Sequence, residues 1–101
     1  MSAVYVSNAD GVALSVLTLD AATGALAPLQ TVEGLGMVMP LALHPNARVI
    51  YAGRRSEPMA VLAFARGADD RLSPLGEAPL PASMAHVAVD GSGRWLLAAS
   101  Y

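Results

Sequence analysis

The stretch that decides the fold is PLALHPNARVIYAG, residues 40–53. Leu41-Ala42-Leu43 is a short apolar run, and His44-Pro45-Asn46-Ala47 carries turn chemistry: proline fixes φ, and asparagine can bond its own backbone. Arg48 then leads into a second apolar run, Val49-Ile50-Tyr51-Ala52. This reads as strand, turn, strand. Forty-six residues on, the same grammar returns as HVAVDGSGRWLLAA, residues 86–99. Leu41 falls on Val87, Leu43 on Val89, Asn46 on Ser92, Arg48 on Arg94 and Ala52 on Ala98, without a gap. The hairpin is a repeated unit.

Outward from it, the intervening chain also repeats. Val4–Ser7 matches the run ending at Gly53, with Tyr5 on Tyr51. Val12–Leu19 is matched by MAVLAFA, residues 59–65. Leu26, Pro28 and Leu29 fall on Leu72, Pro74 and Leu75. A proline has no N–H to give a neighbouring strand, so the two proline strands belong at sheet edges. The apolar runs are short and bounded by turn residues, which excludes long helices. Four strands repeated every 46 residues are the pattern of a β-propeller blade. The expected fold is therefore all-β, four-stranded antiparallel sheets, with residues 39–43 and 85–89 innermost and 26–32 and 72–78 outermost. MAVLAFA and VIYA are apolar at every position, as expected of strands covered on both faces. Trp95 reads as blade core.

Composition narrows the function classes. The chain is 54% hydrophobic and 14% charged, which excludes a disordered tail. No apolar run approaches the about 20 residues of a membrane helix, and the first residues do not read as a signal peptide. Without cysteine there is neither a disulfide framework nor a thiolate metal site. A net charge of −2 with six scattered basic residues argues against nucleic acid or an anionic membrane as partner. The expected location is the cytoplasm. Residues 1–101 hold about two blades, whereas a ring needs ~4–8. The chain is expected to be a partial propeller, the N-terminal blades of a longer protein whose C-terminal blades complete the ring.

In this order, the motifs resemble the lactonase-type seven-bladed propellers, the bacterial 6-phosphogluconolactonases among them. The resemblance rests on Val4-Tyr5-Val6-Ser7, Met39-Pro40 before HPNARVIYAG, Arg54-Arg55 before MAVLAFA, Leu80-Pro81, Ala85-His86-Val87, and Gly93-Arg94 running on to Ser100-Tyr101. It covers essentially the whole chain. It implies hydrolysis of a phosphosugar lactone, 6-phospho-D-glucono-1,5-lactone, to 6-phosphogluconate in the pentose phosphate pathway, with no metal and no organic cofactor. It also implies a ring closed by the last strand, and essential His, Arg and Glu residues contributed by later blades. A non-catalytic propeller binding a protein or carbohydrate, or a lactonase for another cyclic ester, fits the same repeat.

An antiparallel meander sorts the loops onto two rims. One collects residues 34–40, 54–58, 82–86 and 100–101, and with them His86, Arg54, Arg55, Glu57 and Tyr101. Guanidinium forks suit phosphate oxygens, or a lactone carbonyl gathering negative charge. Arg54, Arg55 and Tyr101 are therefore the candidate substrate-binding residues. The alternative for the arginines is a solvated pair answered by Glu57. Neighbours in a strand face opposite ways, so only one arginine is expected to reach the channel. His86 is the candidate general base for the attacking water; otherwise it orders its loop through a backbone bond. His44, on the other rim, is expected to be structural.

Overall fold

A computed structural model describes residues 2–101. They form nine strands in three antiparallel sheets. The first sheet is β1 (Ser2–Asn8), β2 (Ala13–Leu19) and β3 (Leu26–Val32), in that order. The second is β4 (Val38–Leu43), β5 (Val49–Arg54), β6 (Ala60–Arg66) and β7 (Leu72–Pro79), again in chain order. The third is the pair β8 (His86–Val89) and β9 (Leu96–Ala99). Strand β4 is flanked by β1 on one side and β8 on the other. Sheets stacked in this way, with sequential meanders, are successive propeller blades. No helix of the described residues is long and apolar enough to cross a membrane.

The expected strands are present, and the edge prolines stand where the missing N–H requires. Pro28 and Pro74 lie in β3 and β7, the outermost strands. The pairing shifts by one residue beside each: Leu17 pairs with Pro28 and Val16 with Gln30, while Phe64 pairs with Pro74 and Ala63 with Gly76. Leu29 and Leu75, 46 residues apart, are thus the same bulge in two blades.

The two copies of the hairpin share the backbone bonds of their turns. His44 N–H donates to Val49 O and Ala47 N–H to His44 O; Asp90 N–H donates to Trp95 O and Gly93 N–H to Asp90 O. Arg48 N–H donates to Asn46 Oδ1, and Arg94 N–H to Ser92 Oγ. Ala47 and Gly93 both take a left-handed conformation, φ 60° and 75°. Strand register follows: Leu41 opposes Ala52 as Val87 opposes Ala98.

One part of the expected phasing needs correction. Tyr5 opposes Val16, but Tyr51 opposes Ala63, so β6 lies one residue later than an unbroken 46-residue offset places it. The cause is in the loops. The β1–β2 loop is residues 9–12 and the β5–β6 loop 55–59, one residue longer; the β2–β3 turn is 20–25 and the β6–β7 turn 67–71, one shorter. The added residue lies in the rim loop that carries Arg55.

The core lies between the first two sheets. Leu14, Val16, Val38, Ile50, Ala52, Ala60, Leu62, Phe64 and Leu72 form one buried cluster, with Tyr5, Leu29, Val32, Leu35 and Leu41 packed around it. Each large member, such as Phe64, contributes about 1.5–3 kcal/mol by leaving water. The other face of the second sheet is covered near β4 by Val87 of the third, whose Cγ1 lies 3.8 Å from where a Cβ on Gly53 would stand. Trp95 differs from its expected place in a core: it is 69% exposed, because the sheet it adjoins has two strands and nothing among the described residues covers it.

Candidate functional site

The rim at the start of β4 and the end of β5 is stitched by backbone bonds. Val38 pairs with Arg54, Arg55 N–H donates to Met37 O at 2.9 Å, and Met37 N–H donates to Ser56 Oγ at 3.0 Å. Gly36 makes the close approach possible. Its φ is +77°, and an added Cβ would stand 2.6 Å from Arg54 Cδ and 2.7 Å from Ser56 Oγ. The loop 34–37 therefore lies directly on the arginine segment.

The two arginines face opposite ways, as the strand geometry requires. Arg54 turns toward the outer part of its own blade. Its Nη2 pairs with Glu77 Oε2 of β7 at 2.6 Å, and its Nε–H donates to Pro58 O at 2.8 Å. Its side chain is only 11% exposed. Arg54 is thus a tie across the blade. The acid that answers it is Glu77, not the nearby Glu57 considered from sequence.

Arg55 turns toward the third sheet. Its Nε–H donates to Ser83 Oγ at 2.7 Å, and Nη1 reaches Met39 Sδ at 3.7 Å. It has no carboxylate partner among the described residues. Ser83 lies three residues before His86 in the loop that leads into β8. Arg55 is thereby held where the first residues of β4 and β8 meet, the two innermost strands.

His86 is the first residue of β8, paired with Ala99, and its side chain is exposed. Its imidazole makes no hydrogen bond among the described residues, so it does not order the loop by a backbone bond. Ala85 N–H does that, donating to Ala99 O at 2.7 Å. Tyr101 follows β9 and is fully exposed; no hydrogen bond brings it toward Arg55 or His86. His44 sits at the opposite rim, its Nδ1 accepting Asn46 N–H at 3.1 Å and its ring against Gly93. Ser83 was not singled out by the sequence, and Met39 only as part of the Met39-Pro40 motif, although both fall in segments assigned to this rim.

A second polar cluster ties the first two blades at the opposite rim. Tyr5 O–H donates to Asp70 O at 2.8 Å, its ring lies 5.8 Å from the Arg66 guanidinium carbon, and Arg66 pairs with Asp70 at 2.7 Å. Burial pushes the Tyr5 phenol above its ordinary value despite that guanidinium. The hydrogen bonds that Arg66 donates to Asp70 raise the Arg66 guanidinium above its ordinary value. Beside it lies a cleft of about 300 Å³, lined by Ala3, Tyr5, Leu41, Leu43, Ile50 and Arg66. Its walls are mostly apolar, and its one cation is already paired with Asp70.

The model of the family described as Lactonase, 7-bladed beta-propeller, matches residues 3–101. The chain belongs to that family. Among similar lactonase-family proteins, 6-phosphogluconolactonase of Yersinia pestis (strain Pestoides F) is 41% identical over 99 residues, which are 98% of this chain and 29% of that protein. The 6-phosphogluconolactonase of Serratia proteamaculans (strain 568) is 41% identical over 98 residues, 97% of this chain and 29% of that protein. The chain thus spans less than a third of the length of these relatives. A crystal structure from Bacteroides uniformis superposes with a TM-score of 0.83 at 21% identity, covering 93% of this chain and 28% of that one. That likeness supports the propeller fold of the lactonase family.

Proposed function

We propose that residues 1–101 are the N-terminal blades of a 6-phosphogluconolactonase, which hydrolyses 6-phospho-D-glucono-1,5-lactone to 6-phosphogluconate in the cytoplasm. The observation that carries this reading is Arg55: a guanidinium held at the inner rim with no carboxylate to neutralise it. Such a group suits the dianionic phosphate of the substrate. The Yersinia and Serratia relatives bear the name of that activity over the aligned length.

In this reading Arg55 binds the phosphate and Arg54 holds the blade. His86, exposed and unbonded on the same rim, takes the proton of the attacking water. The hydroxyl then adds to the lactone carbonyl, and the ring C–O bond breaks with return of a proton to the ring oxygen. Tyr101 belongs to the same rim by chain order, and no contact fixes it to a role.

The test is hydrolysis by the complete protein that carries this chain. Acceleration of 6-phospho-D-glucono-1,5-lactone opening over the spontaneous rate, with preference over D-glucono-1,5-lactone, supports the proposal. His86→Ala then lowers kcat by roughly 10²–10⁴-fold, the usual contribution of a positioned base. A protein that binds a carbohydrate or protein and opens neither lactone would refute it.

A further inference from the structure

We propose that Ser83 is a positioning residue that aims Arg55 at the phosphate of the ligand, an inference that rests on the reading of Arg55 given above. A free arginine side chain has many rotamers, and ordering it for binding is costly. Arg55 is ordered in advance at three points. Its backbone N–H is held by Met37 O, its Nε–H by Ser83 Oγ at 2.7 Å, and Nη1 touches Met39 Sδ at 3.7 Å. A guanidinium has five N–H donors in one plane. With Nε–H and one Nη1 N–H engaged, the remaining Nη1 N–H and both Nη2 N–H groups have no protein acceptor among the described residues. Of these three, one N–H on each Nη suffices for an end-on fork, two donors matched to two oxygens of one phosphate.

Ser83 fixes the plane of that fork, because Nε is the atom about which the group would otherwise swing. It does so from the next blade: Arg55 opens the β5–β6 loop, while Ser83 lies in the loop before β8. The Ser83 hydroxyl oxygen accepts from Arg55 and makes no competing bond among the described residues. Arg54 offers the contrast. Its Nε is capped by Pro58 O and its Nη2 by Glu77, which leaves it neutralised and turned away from this seam.

The experiment uses the complete protein, two lactones and inorganic phosphate as a competing probe. Ser83→Ala is expected to raise KM for 6-phospho-D-glucono-1,5-lactone, and the inhibition constant of inorganic phosphate, by about tenfold, with kcat within twofold. KM for the unphosphorylated D-glucono-1,5-lactone should stay put. Ser83→Thr keeps the acceptor and should restore the parent values. An equal rise in KM for both lactones, or no recovery with threonine, would mean that Ser83 only supports the fold. If Arg55→Ala weakens phosphate binding and Ser83→Ala does not, the positioning role is wrong while the reading of Arg55 stands. If neither variant changes it, the reading of Arg55 falls as well.

Discussion

The side-chain amide of Gln30 completes both backbone hydrogen-bonding groups of Leu72 across the seam between the first two blades. Leu72 N–H donates to Gln30 Oε1 at 2.7 Å, and Gln30 Nε2 donates to Leu72 O at 3.0 Å. Leu72 is buried at 5% exposure, so water does not readily replace the amide. Gln30→Leu should destabilise the protein by about 1–3 kcal/mol, because it leaves a buried N–H unpaired. A urea-denaturation midpoint equal to that of the parent would show that the seam does not depend on this bond.

The turn pair Ala47 and Gly93 makes opposite predictions at equivalent positions. Ala47 holds φ 60° with a Cβ, which is strained, so Ala47→Gly should leave stability unchanged or raise it by up to about 1 kcal/mol. Gly93 holds φ 75° with the His44 ring directly against it. Gly93→Ala should therefore cost more than Gly24→Ala, where φ is also 75° but the space around the added Cβ is open. His44→Ala should recover part of the Gly93→Ala loss and little of the Gly24→Ala loss. Thermal melts of the singles and the double variant decide it.

Acid sensitivity should have a component at the same turn. The bond from Ser92 Oγ–H, with the backbone bond from Trp95, holds the Asp90 carboxyl below its ordinary value of 3.8. A carboxyl depressed in the folded state stabilises it above the unfolded pKa, and that contribution fades as pH falls through the folded value. Asp90→Asn cannot be protonated in this range and accepts through one oxygen only. Its melting temperature should be lower than the parent's at pH 7, with the two curves converging as pH falls below the ordinary carboxyl value of 3.8. Parallel curves would contradict the assignment.

Trp95, the single tryptophan of the sequence, reports on what covers the third sheet. It is 69% exposed here, with Leu97 at 60%. If further blades cover this sheet in the complete protein, Trp95 emission should lie at shorter wavelength there than in the 101-residue chain. Identical spectra would mean that no blade packs on this face.

The repeat was legible because the turn chemistry of HPNAR and DGSGR marks the same hydrogen bonds, and because Pro28 and Pro74 can stand only at edges. The register of β6 was not. MAVLAFA is apolar at every position, so a slip by one residue exchanges one apolar face for another and leaves no trace in the pattern. Loop lengths on either side of β6 carry that information, and they offset each other. The opposed facing of Arg54 and Arg55 followed from strand geometry, but which one faces the next blade did not. It is decided by Glu77 and Ser83, each more than 20 residues distant in sequence. Trp95 was misplaced because its size argues for burial, whereas its exposure depends on what lies beside a two-stranded sheet.

The most direct test of the account compares Arg55→Ala with Arg54→Ala in the complete protein, on lactones with and without the 6-phosphate. Loss of a charge-assisted phosphate contact is worth about 1.5–3 kcal/mol, or roughly 10- to 150-fold. Arg55→Ala should raise KM for 6-phospho-D-glucono-1,5-lactone by that factor and leave KM for D-glucono-1,5-lactone nearly unchanged. Arg54→Ala should lower the melting temperature and shift the two KM values alike. The account is contradicted if Arg55→Ala affects both lactones equally, or if Arg54→Ala alone discriminates between them.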